Sequence, residues 1–265
     1  MIITEKQGYL EYLTAEDISV PHCFTTRYGG VSAGQFASMN IAIKEGETEE
    51  NVEKNLSILA SVLGFRLEDL VLTRQTHTDI VRKVTRQDHL GIFHRDYPEC
   101  DGLVTNDPGV TLMIFTADCT PILFHDPVTG AVGACHAGWK GTAQDIGGKT
   151  VAAMVREFGC DPADIRAAIG PNIGGCCFET DYDVPLAMIE TYGEAAAEHI
   201  RPVGEKYYVN LKEINALSLR RASVRHIEIS ESCTMCENTR FWSHRYTRGH
   251  RGSQGALITC KEACK

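Results

Sequence analysis

The stretch Pro121-Ile-Leu-Phe-His125, Asp126-Pro-Val-Thr-Gly130, Ala131-Val-Gly-Ala-Cys-His136 decides the fold of this chain. Two apolar runs flank a segment rich in Asp, Pro and Gly, which predicts a β-hairpin. Successive side chains of a strand point to opposite faces, so we expect Cys135 and His136 on opposite sides of the sheet. Cys135 is therefore a poor partner for any group that His136 binds.

Helical and strand patterns alternate on both sides of this hairpin. Residues 48–63 carry apolar side chains at helical spacing and are followed by Gly64, a typical helix end. Further helices are predicted at residues 142–158, 184–192 and 211–222, and further strands at 22–27, 100–105, 110–116, 166–170, 206–209, 226–229 and 256–259. Because no repeat or linker interrupts the pattern, we expect a single domain over residues 1–265. Its fold class is α/β, with mixed β-sheets layered with helices.

Composition narrows the classes of function. The chain has 265 residues, of which 43% are hydrophobic, as in ordinary globular proteins. A net charge of −9 argues against general nucleic-acid binding, yet a small anion such as phosphate needs only one or two local cations. The N-terminus has no secretory pattern, and the apolar stretch at 110–115 is too short to cross a bilayer. We expect a cytoplasmic protein without nucleic-acid or membrane partners; the oligomeric state stays open.

Three segments carry residues suited to catalysis. They are Thr73-Arg-Gln-Thr-His77, Thr116-Ala-Asp-Cys119 and Cys135-His136-Ala-Gly-Trp-Lys-Gly141. Two imidazoles and one thiolate are ligands of the kind that hold a catalytic zinc ion with its fourth position open. The same residues also suit a second chemistry, in which Cys119 is a thiolate nucleophile and a histidine is its base. Spacing along the chain leaves both hypotheses open.

The remaining cysteines give weaker signals. Cys233-Thr-Met-Cys236 is a Cys-x-x-Cys pair, and a structural zinc there would need two further ligands. Cys260 and Cys264 can supply them only with irregular spacing, so a second zinc site is not favoured. The adjacent pair Cys176-Cys177 is interpreted as part of the core.

A basic run at residues 240–251 predicts either a solvated surface or a phosphate-binding arm. Arg245 is the preferred cation of that arm, because Phe241-Trp-Ser-His-Arg245 interleaves aromatic residues with charge. Neither a Walker-type loop nor a Gly-x-Gly-x-x-Gly fingerprint is present, so nucleotide cofactors of those kinds are not predicted.

Several motifs together resemble the YfiH-type or laccase-domain family. Its members are described as multicopper polyphenol oxidases, as purine nucleoside phosphorylases and as editing hydrolases for peptidoglycan precursors. The motifs are Thr25-Thr-Arg-Tyr-Gly-Gly-Val-Ser32, Ser38-Met-Asn-Ile41, Gln75-Thr-His77, Cys100-Asp-Gly102, Thr116-Ala-Asp-Cys-Thr-Pro121, His136-Ala-Gly-Trp-Lys-Gly141, Gly170-Pro171 with Cys176-Cys-Phe-Glu179, and Cys233-Thr-Met-Cys236 with Phe241-Trp-Ser243. The chain departs from the usual pattern at Asn172, at Gly175 and in Ser243-His-Arg-Tyr246.

The resemblance implies a fold like that of toxin-like cysteine hydrolases and a metal-binding catalytic set of His77, Cys119 and His136. It implies phosphorolysis of adenosine, inosine and methylthioadenosine, together with adenosine deamination. Phosphate would need cations, and sugar and base would need polar groups. The candidates in this chain are Arg27, Lys44, Arg74 and Arg245 for phosphate, and Asn40, Gln75 and Asp101 for the nucleoside. Deamination would also need a carboxylate beside the metal, for which Asp101 and Asp118 are candidates.

The alternatives use the same three residues differently. The first alternative is an amide hydrolase that edits peptidoglycan precursors. The next is a copper-dependent polyphenol oxidase, ranked lower because ten histidines without a His-x-His pair cannot build a trinuclear cluster. The last is a metal-carrying interaction module without catalysis. We expect Zn²⁺ as the cofactor, with Cu²⁺ as the alternative because copper heads the affinity order of divalent ions.

Overall fold

A computed structural model describes residues 1–94 and 96–261. The sheet orders are β1-β2-β3-β15-β7-β4, β14-β10-β8-β9-β6-β5 and β11-β13-β12. The strands are β1 Ile2–Gln7, β2 Leu10–Ala15, β3 His22–Thr25, β4 Leu70–Leu72, β5 Val81–Lys83, β6 Gly102–Thr105, β7 Thr111–Thr116, β8 Thr120–His125, β9 Val132–Ala137, β10 Arg166–Ile169, β11 Glu179–Thr180, β12 Ile200–Val203, β13 Lys206–Val209, β14 His226–Ile229 and β15 Gln254–Thr259. The helices are α1 Glu49–Leu63, α2 Trp139–Ala143, α3 Ile146–Phe158, α4 Asp183–Tyr192, α5 Glu194–Ala197, α6 Leu211–Arg221 and α7 His244–Thr247. The predicted class, mixed sheets layered with helices, is confirmed.

The predicted hairpin is β8 and β9, at the centre of the second six-stranded sheet. The two strands pair antiparallel, with Ile122 opposite Cys135 and Pro121 opposite His136. All of their residues are buried because both faces of the sheet are covered. One face joins the first sheet in a shared core that includes Leu112, Leu123 and Ala134. The other face packs against α3 and α6 and includes Cys135, so Cys135 and His136 point to opposite sides as predicted.

The predicted helix at residues 142–158 is interrupted in the structure. It divides into α2 and α3, and Asp145 between them has a left-handed backbone with φ of 60°. The Asp145 carboxylate accepts hydrogen bonds from the hydroxyl groups of Tyr192 and Ser218. These bonds orient the residue away from the helical path, and the local pattern of apolar residues does not reveal such long-range contacts.

The helix predicted at residues 48–63 is confirmed as α1. Thr48 caps its first turn by accepting a hydrogen bond from the Asn51 amide at 3.2 Å, and Gly64 ends it with φ of 74°. The β1–β2 hairpin was not predicted, because much of β1 is polar and exposed at the sheet edge. No helix in the described ranges is long and apolar enough to cross a membrane.

Two connections carry the chain from the first large sheet to the second. One joins β4 to β5 and contains His77, and the other joins β7 to β8 and contains Cys119. His136 lies near the end of β9, the strand that pairs with β8. The crossings between the two sheets therefore bring together residues that are far apart along the chain.

Candidate metal and substrate site

His77, Cys119 and His136 converge, and we refer to them as the three-ligand site. One ligand atom from each residue lies within 4.8 Å of the other two. The Cys119 Sγ lies 4.0 Å from the His77 Nε2, and the rings of His77 and His136 meet edge to face with centroids 5.0 Å apart. Two imidazoles and one thiol at this separation can hold a single metal ion.

The backbone at this site is held in an unusual conformation. His77 and Asp118 both have positive φ, of 63° and 86°, which is unfavourable for residues other than glycine. The Asp118 carboxylate accepts a hydrogen bond from the Thr234 hydroxyl and one from the Arg245 amide, both at 2.6 Å. These bonds offset the cost of the turn that presents Cys119.

Gly138 lets the ring of His77 approach the sulfur. A Cβ atom on Gly138 would lie 2.8 Å from the His77 Cδ2 and 3.3 Å from the Cys119 Sγ. The first distance is a clash, which the His77 ring could relieve only by moving away from the sulfur. The small residues after His136 are therefore required by the close approach of these side chains.

Asp101 orients the ring of His136 within the three-ligand site. Its carboxylate accepts a 2.7 Å hydrogen bond from the His136 Nδ1 and further bonds from the backbone amides of Thr76, His77 and Thr78. The His136 Nε2 is thereby left as the ring atom available to a metal. Because Asp101 is fully buried, it supports His136 and does not face a substrate, contrary to its predicted role in substrate binding.

The electrostatics of the site favour a thiolate. Burial opposes ionisation of Cys119, but the charge of His136 and hydrogen bonds from His136 and His77 lower its pKa to about 6. Burial lowers the pKa of His136, yet the charge of Cys119 and the hydrogen bond to Asp101 raise it to about 9. Burial likewise opposes ionisation of Asp101, and the hydrogen bonds from His136 and Thr78 bring its pKa to about 2. An ionised sulfur at neutral pH is suited either to metal binding or to nucleophilic attack.

The three-ligand site lies in a pocket of about 370 Å³. Lys44 and Arg251 line the same pocket, and burial lowers the pKa of both; the charge of Arg251 lowers that of Lys44 further. Among the described residues that line the pocket, none is acidic. Two cations beside three metal-ligand side chains make this pocket suited to an anionic ligand.

Gln75 was predicted to bind substrate, and it lies in the pocket wall. Its amide group exchanges two hydrogen bonds of 2.7 Å with the backbone of Phe115, and its oxygen also accepts from the Thr73 hydroxyl. These contacts fix the Phe115 segment, and Phe115 itself is part of the lining. Of the predicted substrate residues, Lys44 and Gln75 are the two that line this pocket.

Arg27 and Asn40 lie outside the pocket lining and contact the loops around it. The Arg27 guanidinium stacks on Trp242, 3.9 Å from the ring centroid, and donates to backbone carbonyls of Asn238 and Ala37. Asn40 is fully buried, and its side-chain Oδ1 accepts a hydrogen bond from the backbone amide of Ser253, a lining residue, at 2.8 Å. Both side chains stabilise the surrounding loops and do not line the pocket.

The basic run contributes a different arginine from the one predicted. Arg245 lies over Phe178 and donates to the Glu179 carbonyl, and Arg251 lines the pocket instead. Arg74, another predicted cation, pairs with Glu99 at 3.2 Å. Arg251 belongs to the same basic run, but the short helix α7 turns the chain, and the folded path decides which arginine faces inward.

A second group of potential metal ligands contains Cys176, Cys177, Cys233 and Cys236, and we refer to it as the four-cysteine cluster. Cys176 and Cys236 are exposed, so the interpretation of Cys176-Cys177 as a core pair was wrong. Cys260, considered in the sequence as a possible but unfavoured partner of Cys233 and Cys236, is buried in the core between the two large sheets. Cys264, the other possible partner, lies outside the described residues.

Comparisons with known proteins agree with this architecture. The 36% identical Bacillus licheniformis hypothetical protein YfiH superposes with a TM-score of 0.91, over 97% of this chain and 99% of that one. A Geobacillus stearothermophilus protein named purine nucleoside phosphorylase YlmD is 40% identical over 245 residues, which cover 90% of this chain and 89% of that protein. Its Bacillus subtilis namesake is 36% identical over 245 residues, or 91% and 88% of the two chains.

The family assignment rests on nearly the whole chain. The family model described as "Multi-copper polyphenol oxidoreductase laccase" matches residues 21–261 and so includes the three-ligand site and the four-cysteine cluster. The chain belongs to this laccase-domain family, together with the YfiH and YlmD proteins, as its motifs predict.

Proposed function

We propose that this protein is a purine nucleoside phosphorylase that uses a zinc ion held by His77, Cys119 and His136. The observation that carries the proposal is the presence of Lys44 and Arg251 in the same pocket as these three side chains. Several relatives that match most of this chain bear the name purine nucleoside phosphorylase. The proposed substrates are adenosine, inosine and methylthioadenosine, with inorganic phosphate as the second substrate.

The donor set fits zinc. One thiolate and two imidazoles, one of them backed by the Asp101 carboxylate, match the ligands and supporting contacts of catalytic zinc sites. Zinc in such a site supplies Lewis acidity and lowers the pKa of a bound water. Copper prefers similar ligands, so metal analysis of the purified protein decides between the two.

Phosphorolysis assigns roles to the pocket residues. An oxygen of phosphate attacks the ribose C1′, the bond from C1′ to the purine nitrogen breaks, and the products are ribose 1-phosphate and the free base. Lys44 and Arg251 would bind the phosphate, since an anion favours the charged form of both side chains, which their surroundings disfavour. Phe115 offers an aromatic face to the purine ring.

Adenosine deamination is the weaker part of the proposal. Zinc deaminases pair the metal with a carboxylate that transfers protons. Asp101 is fully buried behind His136, and both oxygens of Asp118 accept hydrogen bonds from Thr234 and Arg245. Neither Asp101 nor Asp118 lines the pocket, so we expect phosphorolysis to exceed deamination.

A second candidate function is amide hydrolysis with Cys119 as the nucleophile. The order Cys119, His136, Asp101 matches a thiolate, its base and the carboxylate that orients the base. Such an enzyme would act on a peptidoglycan precursor, one of the activities that the family resemblance implies. A polyphenol oxidase is less well supported, because the potential metal groups among the described residues contain two histidines in all.

A product assay tests the proposal. Purified protein is incubated with adenosine, with and without phosphate, and the products are separated by chromatography. We expect adenine and ribose 1-phosphate only when phosphate is present, with similar behaviour on inosine and methylthioadenosine. The Cys119→Ala variant is the control for contaminating enzymes, because it lacks the thiolate.

Other products would select other functions. Inosine formed without phosphate would indicate deamination alone. No reaction with any nucleoside, together with cleavage of a muramyl-amino-acid conjugate, would reject phosphorolysis in favour of the amide hydrolase. Metal analysis of the same sample gives the identity of the bound ion.

A further inference from the structure

The four-cysteine cluster joins two loops that are distant in the sequence. Cys176 and Cys177 follow β10, whereas Cys233 and Cys236 follow β14, the parallel neighbour of β10 in the sheet. A β-bridge between Asn172 and Cys233 aligns the two loops. The sulfur of Cys236 lies 3.6 Å from that of Cys176 and 3.4 Å from that of Cys177.

These separations suit a shared metal ion. A tetrahedral zinc with Zn–S bonds of about 2.3 Å holds its four sulfurs about 3.8 Å apart. All four sulfurs of the cluster lie within 4.8 Å of one another, so small side-chain adjustments complete a tetrahedron. A disulfide would require about 2.05 Å between two sulfurs, which is far shorter than either distance to Cys236.

The surroundings of the cluster suit negative charge. The Gly174 amide donates a hydrogen bond to the Cys233 sulfur at 3.2 Å. The buried ammonium of Lys212 donates to the carbonyls of Ser230 and Ser232, next to Cys233 in the chain. Zinc with four thiolates carries two negative charges, which this amide dipole and this cation help to stabilise.

We propose that the four-cysteine cluster binds a second, structural zinc ion, distinct from the ion of the three-ligand site. Four thiolates leave no open position, so this ion has no catalytic role. It clamps the loop after β10 to the loop after β14. Thr234, inside the Cys-x-x-Cys segment, donates to the Asp118 carboxylate, and its amide donates to the Asn172 carbonyl at 2.9 Å. The clamp therefore supports the turn that presents Cys119.

Zinc content and zinc X-ray absorption of purified protein test this inference. We expect two zinc ions per chain in the unaltered protein, with an average of about 2.5 sulfur ligands per zinc because five thiolates share two ions. Cys119→Ala should keep one zinc, bound by four sulfurs. Cys236→Ser and Cys177→Ser should each lose one zinc, while Cys160→Ala, altered at a cysteine outside both groups, should keep two.

Three results would overturn the inference. The first is one zinc per chain with a single sulfur ligand in the unaltered protein. The second is a folded Cys119→Ala variant that holds no zinc. The third is a disulfide between two cysteines of the cluster, mapped by mass spectrometry of peptides from the unreduced protein. The unaltered protein supplies the first and third readouts, so they stand even where a cysteine variant does not fold, and neither depends on phosphorolysis.

Discussion

The three-ligand site and the four-cysteine cluster offer related potential metal ligands in different surroundings. The three-ligand site lies in a pocket beside Lys44 and Arg251, and its three side chains leave room for a fourth ligand. The four-cysteine cluster lies near the surface between two loops, and it offers four thiols, enough to close a tetrahedral site without a further ligand. The number of protein ligands and the presence of an open pocket beside them are the features that distinguish reactive metal sites from structural ones.

The largest expected effect is a loss of turnover when the three-ligand site loses a ligand. Cys119→Ala should lower phosphate-dependent turnover by about 10³-fold or more, since the metal contributes several kcal/mol to the transition state. Steady-state assays on inosine measure this loss. The matched control is Cys135→Ala, which removes a buried thiol on the opposite face of β9 and should keep the activity within a few-fold. Full activity in Cys119→Ala would contradict the assignment of the three-ligand site.

The next effect tests whether Asp101 acts through His136. Asp101→Asn weakens the hydrogen bond that orients the ring and should lower zinc affinity at the three-ligand site by about 10–100-fold. Competition with a chelator measures this affinity, and the four-cysteine cluster of the same sample serves as the internal reference. Equal weakening at both sites would mean that the substitution disturbs the fold and not the ligand alone.

A smaller effect distinguishes the two arginines of the basic run. Arg251→Met should raise the KM for phosphate by about tenfold or more, since hydrogen bonds to charged groups contribute about 1.5–3 kcal/mol. Arg245→Met is the control, because its guanidinium lies over Phe178 outside the pocket lining. A larger rise in Arg245→Met than in Arg251→Met would reverse the proposed roles.

The smallest effect tests the connection between the two sites. Thr234→Val leaves one Asp118 oxygen without its buried hydrogen bond, at a cost of about 1–3 kcal/mol. We expect a lower Tm and a few-fold lower kcat, with both zinc ions retained. Thermal unfolding, turnover and zinc analysis measure these outcomes together. An unchanged Tm and kcat would show that the turn at Asp118 does not depend on its hydrogen bond to Thr234, the residue that connects it to the four-cysteine cluster.

Much of the fold was predictable because its signals are local. The β8–β9 hairpin, the helix α1 with its Thr48 cap, and most strands follow from apolar periodicity and turn residues. The break between α2 and α3 was not predictable, since Asp145 is oriented by partners 47 and 73 residues away. The edge hairpin β1–β2 was missed because polar residues dominate β1.

The residues of the candidate site also divide into those that stand out in the sequence and those whose position depends on the fold. His77, Cys119 and His136 stand out in the sequence by residue type and by their neighbours, and they converge in the fold. Asp101 and Arg245 were predicted to meet the substrate, yet one is buried behind His136 and the other turns toward Phe178. Arg251 lay in the predicted basic run, but sequence order does not show which side chain of a turning segment points inward.

The class of fold, the family and the possible metal ligands follow from the amino-acid sequence, because they depend on residue identity and local spacing. Which residues share a site is settled by the folding of distant segments against one another. The two crossings between the large sheets assemble the three-ligand site, and the parallel pairing of β10 with β14 aligns the four cysteines. Contacts between distant segments follow from the order of strands in the sheets and from packing. The spacing of residues along the chain does not predict them.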